Sequence, residues 1–231
     1  MDFKFKKALK KKIKIRQARI EDIPEILSVE KTTWGEEAAA TREMLDSRLR
    51  IFPEGTLVAE VDNKIVGIVV TERVNYDSQK DSFSWYEITD NGYIKNSHIP
   101  KGDTLYGVDL SVLPDFQKLG IGSKLLETIA KLAIKYNIKQ GMLGGRMVEY
   151  YKHANKISPE EYINLSVKTE KGVKPIDPEI YFYKRAGLEI VKLLPNYFED
   201  PESFNYGVLL RWSNPFYNKC YRWLAAKLFK I

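Results

Sequence analysis

The segment Gln117-Lys118-Leu119-Gly120-Ile121-Gly122 constrains this chain more than any other. It follows an apolar run ending in Val112-Leu113-Pro114 and leads directly into a stretch with helical periodicity. The order is strand, glycine-containing turn, helix N-terminus. Such a turn presents several backbone N–H groups beside the positive end of a helix dipole, which suits a phosphate or pyrophosphate. Two other phosphate loops fail on spacing. A G-x-x-x-x-G-K-[ST] loop needs an earlier glycine in register, and Ser123-Lys124 follow Gly122 without one. A dinucleotide fingerprint needs a third glycine, where Leu125 stands, and an acid on the next strand, which Ile138 to Leu143 lacks.

The pattern on either side places this loop in an alternating array of strands and helices. Ile13 to Ala18 reads as a first strand, and Asp22 with Pro24 and Glu25 reads as the capped start of a helix. Thr41 opens a second helix with Met44, Leu45, Leu49 and Phe52 on its apolar face. Thr56 to Val61 and Lys64 to Glu72 form strands joined at Asp62-Asn63, a hairpin signal. Leu105 to Val112 is the strand before the loop. After it, Leu125, Leu126, Ile129, Leu132, Ala133 and Tyr136 form a core-facing helical stripe. Ile138 to Leu143 is a strand ending at Gly144-Gly145. Ser158-Pro159-Glu160-Glu161 starts one helix, and Asp177-Pro178-Glu179 starts another that Gly187 stops. Leu188 to Leu194 and Phe204 to Trp212 complete the strands. Two long insertions interrupt the array, residues 74–103 and roughly 146–176.

Composition narrows the class. A chain of 231 residues with 44% hydrophobic content buries a sizeable core and is expected to form one main domain. One cysteine, Cys220, and two histidines, His98 and His153, point to no disulfide and no metal site. No apolar run approaches a membrane span and Met1-Asp2-Phe3-Lys4 carries no signal-peptide segment, so a cytoplasmic location is expected. Residues 1–16 carry seven lysines, one arginine and one aspartate; residues 213–231 carry four basic residues and no acid. Against a net charge of +6, the body between them is mildly acidic. Such a body suits a cationic amine better than a nucleic acid. The basic ends define three parts: an N-terminal extension 1–12, a domain 13–212, and a basic aromatic C-terminal helix 213–231. That helix is expected to pack on the domain or in a homodimer interface, in preference to an anionic membrane surface.

The Q-x-x-G-x-G loop after a V-x-P-x-F stretch resembles the acyl-CoA loop of the GNAT superfamily of N-acyltransferases. The element order matches that family across residues 13–212. The resemblance implies an α/β fold, a mixed twisted β-sheet of about seven strands with helices on both faces. It also implies acetyl-CoA as co-substrate and a primary amine as acceptor, attacked directly on the thioester. Main-chain amides of Leu119, Gly120, Ile121, Gly122 and Ser123 would hold the pyrophosphate, with the Gln117 and Lys118 side chains nearby. The main chain of Leu110 and Val112 would pair with the pantetheine arm. Tyr181-Phe182-Tyr183-Lys184-Arg185-Ala186-Gly187 resembles the family's Y-x-x-x-G segment, which implies Tyr183 as the acid that protonates the thiolate.

The base is less determined. Asp109 is the one carboxylate within the strand, yet alternation sets it on the face opposite Leu110 and Val112. Tyr106 faces better but is a poor base, and Glu87, Asp90 and Glu149 are alternatives. Ile176 occupies the place of an asparagine usual in the family. The acceptor pocket is expected from Phe83, Trp85, Tyr86, Tyr93 and His98 in one insertion and Arg146, Glu149, Tyr150, Tyr151 and His153 in the other. The segment Leu194 to Asp200 with Asn205-Tyr206-Gly207 is similar to GNAT domains fused to carbon–nitrogen hydrolases. Two other functions stay open: a catalytically silent acyl-CoA-binding module, or a membrane-surface or RNA-associated protein acting through its basic ends.

Overall fold

A computed structural model describes residues 12–76, 82–170 and 172–230; the expected basic extension falls almost wholly outside them. Seven strands form one mixed sheet: β1 (Lys14–Gln17), β2 (Thr56–Val61), β3 (Lys64–Val74), β4 (Thr104–Val112), β5 (Gln140–Arg146), β8 (Glu189–Leu194) and β9 (Gly207–Ser213). Their spatial order is β1-β2-β3-β4-β5-β9-β8, and only β4 and β5 run parallel. The β2–β3 turn places Asp62 and Asn63 at φ 52° and 63°, the left-handed pair that a two-residue hairpin requires.

Period-two alternation sorts the strand residues to two helical layers. Val58, Ile68 and Val70 face α1 (Ile23–Ala38) and α2 (Arg42–Ile51), packing on Ile23, Ile26 and Leu45. Leu57, Val69 and Leu110 face α4 (Ile121–Lys135), where Ile121 and Leu125 are fully buried. Each such leucine contributes about 2 kcal/mol by leaving water. Helix α6 (Pro178–Arg185) lies on the α4 face against Leu143, Val208 and Leu210. The short α3 (Trp85–Ile88) joins the α1 face, anchored by Trp85 N–H donating to the Tyr197 carbonyl at 2.7 Å.

Two irregularities shape the centre. Register against β3 slips at β4: Val70 opposes Asp109 and Thr71 opposes Gly107, so Val108 is an extra bulged residue. Its carbonyl accepts from Trp85 Nε1 at 2.8 Å. On the other side, β4 pairs with β5 only from Thr104–Gln140 to Gly107–Leu143. Beyond that point the two strands run on, to Val112 and Arg146, without pairing, and the sheet opens between them.

Several local expectations give way to tertiary structure. Asp22 does not cap α1 through its side chain; its carboxylate pairs with Arg16 and accepts from Arg19 N–H, while Glu25 accepts from Ile65 N–H across the sheet. Gly144 and Gly145 do not end β5 but lie within it. A hairpin, β6 (Ser166–Thr169) and β7 (Gly172–Pro175), occupies the second insertion after α5 (Pro159–Asn164). The C-terminal helix α7 (Arg222–Leu228) is short and follows a run of turns. Phe229 packs on Trp212 and Phe216, while Trp223 and Leu228 are exposed. Tyr136, expected in the α4 stripe, is exposed, and Ile134 is buried in its stead. Among the described residues no helix is long and apolar enough to cross a membrane.

Candidate active site

A cavity of about 1160 Å³ passes through the opening between β4 and β5 and touches both helical layers. On the α4 face its wall begins with the loop singled out in the sequence. A 3-10 turn at Pro114–Phe116 follows β4, and Gln117 Nε2 donates to the Val112 carbonyl at 3.1 Å. Lys118 (φ 61°) and Gly120 (φ 84°) take left-handed conformations, and Gly120 is the N-cap of α4. Among the described residues, the amides of 118–123 donate to no carbonyl of the chain. They are the unpaired donors that any helix start leaves for a ligand. A Cβ at Gly122 would stand 3.0 Å from the end of the Phe182 ring, a tight contact to which the ring must yield. Leu110, Val112, Gln117, Lys118, Gly120, Ile121, Gly122 and Ser123 all line the cavity. Leu119 does not; its side chain is 55% exposed.

Tyr183 reaches the cavity from α6, one helical turn after Glu179. Its ring rests on Gly145, where a Cβ would lie 3.3 Å from it. The hydroxyl has no hydrogen-bond partner among the described residues, and burial, reinforced by Glu179, holds the phenol well above its ordinary value. It is therefore a protonated donor with nothing yet to donate to. Tyr181, two residues before it in the same helix, sits nearer the surface between the cations of Lys174 and Arg185. Burial pushes the Glu179 carboxyl up to about 7; it accepts from Arg146 N–H at 2.9 Å.

On the α1 face the wall is built from side chains. Asp109 points toward α1 and α2, as alternation requires, and the opening beside β5 brings it to the cavity all the same. Its carboxylate lies 3.6 Å from Arg48 Nη1 and accepts from Ser111 Oγ at 3.0 Å. Ser111 in turn accepts from Trp34 Nε1 at 2.7 Å. Glu30 of α1 is buried beside Asp109; burial, then the Asp109 charge, raises its carboxyl well above the ordinary range. Trp34, Trp85, Tyr86 and Phe198 form the aromatic part of this wall, with Tyr86 stacked on Phe198 at 5.8 Å.

The remaining candidates are placed elsewhere. Tyr106 is fully buried and bonds to the Tyr197 hydroxyl at 2.8 Å. Glu87 caps α3, Asp90 accepts from Asn96, and Glu149 pairs with Lys152. None of these four lines the cavity. Among the described residues of the first insertion, only Trp85 and Tyr86 reach it; His98 stacks on Phe52, and Phe83 is core. Of the second, Arg146 does so, its guanidinium held by Asp200 and Glu202 and lying 5.3 Å from the Trp34 ring. Tyr150, Tyr151 and His153 stay outside. Ile176 packs beside the core around Tyr183, as an apolar residue should.

The residues of the site that escape a reading of the sequence include Glu30, Arg48 and Glu179, with Trp34 and Phe198 of the aromatic wall. The first two did leave a signal. Glu30 adjoins Val29 and stands one turn from Ile26 on the buried face of α1, and Arg48 sits between the buried Leu45 and Leu49 of α2. Charges at core positions are costly unless they serve each other or a ligand.

The chain is similar to known proteins over most of its length. The model of the acetyltransferase (GNAT) family matches residues 20–154. An uncharacterized N-acetyltransferase, YkwB, of Bacillus subtilis (strain 168) is 36% identical over 209 residues, covering 89% of this chain and 90% of that protein. A probable hydrolase of the same organism, YhcX, is 33% identical over 205 residues; 88% of this chain is covered but only 39% of the hydrolase. The loading GNATL domain of CurA from Lyngbya majuscula superposes with a TM-score of 0.76 at 24% identity, covering 88% of this chain and 98% of that domain. The latter is a likeness of fold.

Proposed function

The chain belongs to the GNAT acetyltransferase family, whose members use an acyl-CoA and an acceptor, and from that premise we propose that it moves an acetyl group from acetyl-CoA to a primary amine. The amine attacks the thioester directly. The amides of 118–123 bind the pyrophosphate, with Gln117 and Lys118 beside it. The unpaired edge of β4 at Leu110 and Val112 receives the pantetheine arm, in the way one strand adds to another. The thioester then lies at the opening between β4 and β5, between Tyr183 on one side and Asp109 on the other. As the C–S bond breaks, Tyr183 gives its proton to the thiolate, and Asp109 belongs to the group that takes protons from the amine.

The observation that carries this proposal is the coincidence of free amides at the α4 N-terminus with an unpaired stretch of β4 along the same cavity. Calorimetric titration with acetyl-CoA tests it. Micromolar binding is expected for the wild type and none for Gly120→Glu, which adds charge at the pyrophosphate position. Gly120→Ala separates the two effects of that change: a Cβ there meets nothing within 4 Å, so only the left-handed φ is penalised. Absence of binding to the wild type would sink the proposal. Binding without thiol release against any amine would favour a silent acyl-CoA-binding module.

A further inference from the structure

Of the two buried carboxyls on the α1 side, Asp109 accepts from Ser111, whereas Glu30 is poorly partnered. Glu30 is 1% exposed, and its Oε1 has no hydrogen-bond donor among the described residues. Its other oxygen is only weakly engaged, by Ala40 N–H at 3.4 Å. Arg48, also 1% exposed, leaves Nη1 without a hydrogen bond and stands 3.6 Å from Asp109 rather than in close contact. Two acids and one base thus meet at a cavity wall with polar atoms left over on both sides. An orphan carboxylate oxygen in such a place is costly. It ceases to be an orphan if Glu30 is a carboxylic acid and that oxygen donates to Asp109. The cluster then carries one shared proton and, with Arg48, no net charge. Arg48 from α2 and Asp109 from β4 are the charged groups that act on Glu30.

The rest of the wall indicates what the cluster meets. Along the same wall Phe198 meets the rings of Trp34, Trp85 and Tyr86, and Trp85 meets Tyr86. Glu37 and Glu199 add negative charge along the same surface. Aromatic faces and carboxylates together favour a cation with an apolar body.

We propose that Glu30 and Asp109 share one proton and together form the station that receives and deprotonates the acceptor, a primary ammonium carried on an aromatic or other apolar body. The inference rests on the acyltransferase proposal and names its acceptor and proton route. The incoming ammonium displaces the shared proton to solvent and sits against two carboxylates balanced by Arg48. One N–H proton of the ammonium then passes into the vacated position, restoring the singly protonated pair and leaving a neutral amine. The amine lone pair forms the C–N bond at the thioester carbon and the C–S bond breaks. The nitrogen loses a second proton, which replaces the one that Tyr183 gives to the departing thiolate, so Tyr183 is restored and the proton count closes with the one released on binding. The cluster is electrically the same before and after, which spares the buried site any net change of charge.

The test uses phenethylamine as acceptor and acetyl-CoA as donor. Calorimetric binding of phenethylamine at mildly acidic pH, compared in phosphate and bis-Tris (a tertiary amine that buffers there), is expected to show a proton released to the buffer. Binding without proton release overturns the shared-proton pair. In turnover, Glu30→Gln keeps the shape and neutrality of the protonated acid and so should fold with a wild-type melting temperature. It is expected to lower kcat/KM about a hundredfold. The acidic limb of its pH profile should move down by about one unit or more, because the like-charged neighbour is gone. A wild-type limb in Glu30→Gln overturns the inference, as does ethanolamine, which lacks the apolar body, serving better than phenethylamine. The acyltransferase proposal fails differently: the wild type would then release no thiol with any amine.

Discussion

On the α4 side of the sheet the loop before α4 offers the cavity main-chain amides and glycine, whereas on the α1 side the wall is made of side chains drawn from five separate segments. The first wall uses free amides, an unpaired strand edge and two glycines within one stretch, residues 110–123. The second joins Glu30, Arg48, Trp85, Asp109 and Phe198. The contrast follows from what each wall would face. A pyrophosphate and a pantetheine arm offer charge and amides, which main chain recognises whatever the side chains are. An acceptor is distinguished by its body and charge, which only side chains can read.

If the two walls are separate in function as well as in construction, substitutions should sort cleanly by parameter. The largest effect is expected at the boundary: Tyr183→Phe should lower kcat about a hundredfold or more while leaving acetyl-CoA affinity unchanged in calorimetry. Wild-type turnover in that variant would remove its role as acid. Next comes Glu179, whose carboxyl is raised from 4.5 to about 7. A raised acid contributes stability in full below its unfolded value, and that contribution is lost as pH rises through the folded one. Glu179→Gln should therefore melt higher than wild type at pH above 7, by roughly 10 °C for about 3 kcal/mol, and equally at low pH. Equal melting at both ends would show that Glu179 is not held protonated.

Smaller effects bear on the comparison more finely. Trp85→Phe removes the donor to the bulged Val108 carbonyl, a loss of about 1 kcal/mol. The amine KM should rise about fivefold with the acetyl-CoA Kd unmoved. A shift in the Kd instead would mean that the bulge serves the donor side. Least of all, Gly122→Ala presses a methyl on the end of the Phe182 ring, which can yield by a few tenths of an ångström. Its acetyl-CoA Kd should weaken by no more than about fivefold, read by the same titration.

The same division governs how far the sequence could be read. The Gln117–Gly122 loop, the Asp62-Asn63 turn and the Ser158–Glu161 capping box are each settled within a few residues, and each stands where its local pattern placed it. Asp22 shows the limit: its capping pattern is sound, yet Arg16 and the Arg19 amide claim the carboxylate first. Gly144 and Gly145 look like a turn, but their hydrogens make room for Tyr197 on one face of the sheet and Tyr183 on the other. The β6–β7 hairpin escaped notice because β6 is exposed on both faces and so has no alternation to detect. Glu30 and Arg48 look like misplaced charges in apolar stripes until Asp109, far along the chain, is brought between them.

The parting of β4 from β5 beyond Gly107 and Leu143 has a kinetic consequence. On the proposed placement, the donor along β4 and the acceptor against the aromatic wall occupy different sides of the gap, and neither has to cross the other's place. Such a site has no structural need for a fixed order of arrival. Each product can also withdraw by the route its precursor took, the thiol along β4 and the amide past the aromatic wall. Initial-rate patterns should then intersect, and each product should compete with its own precursor.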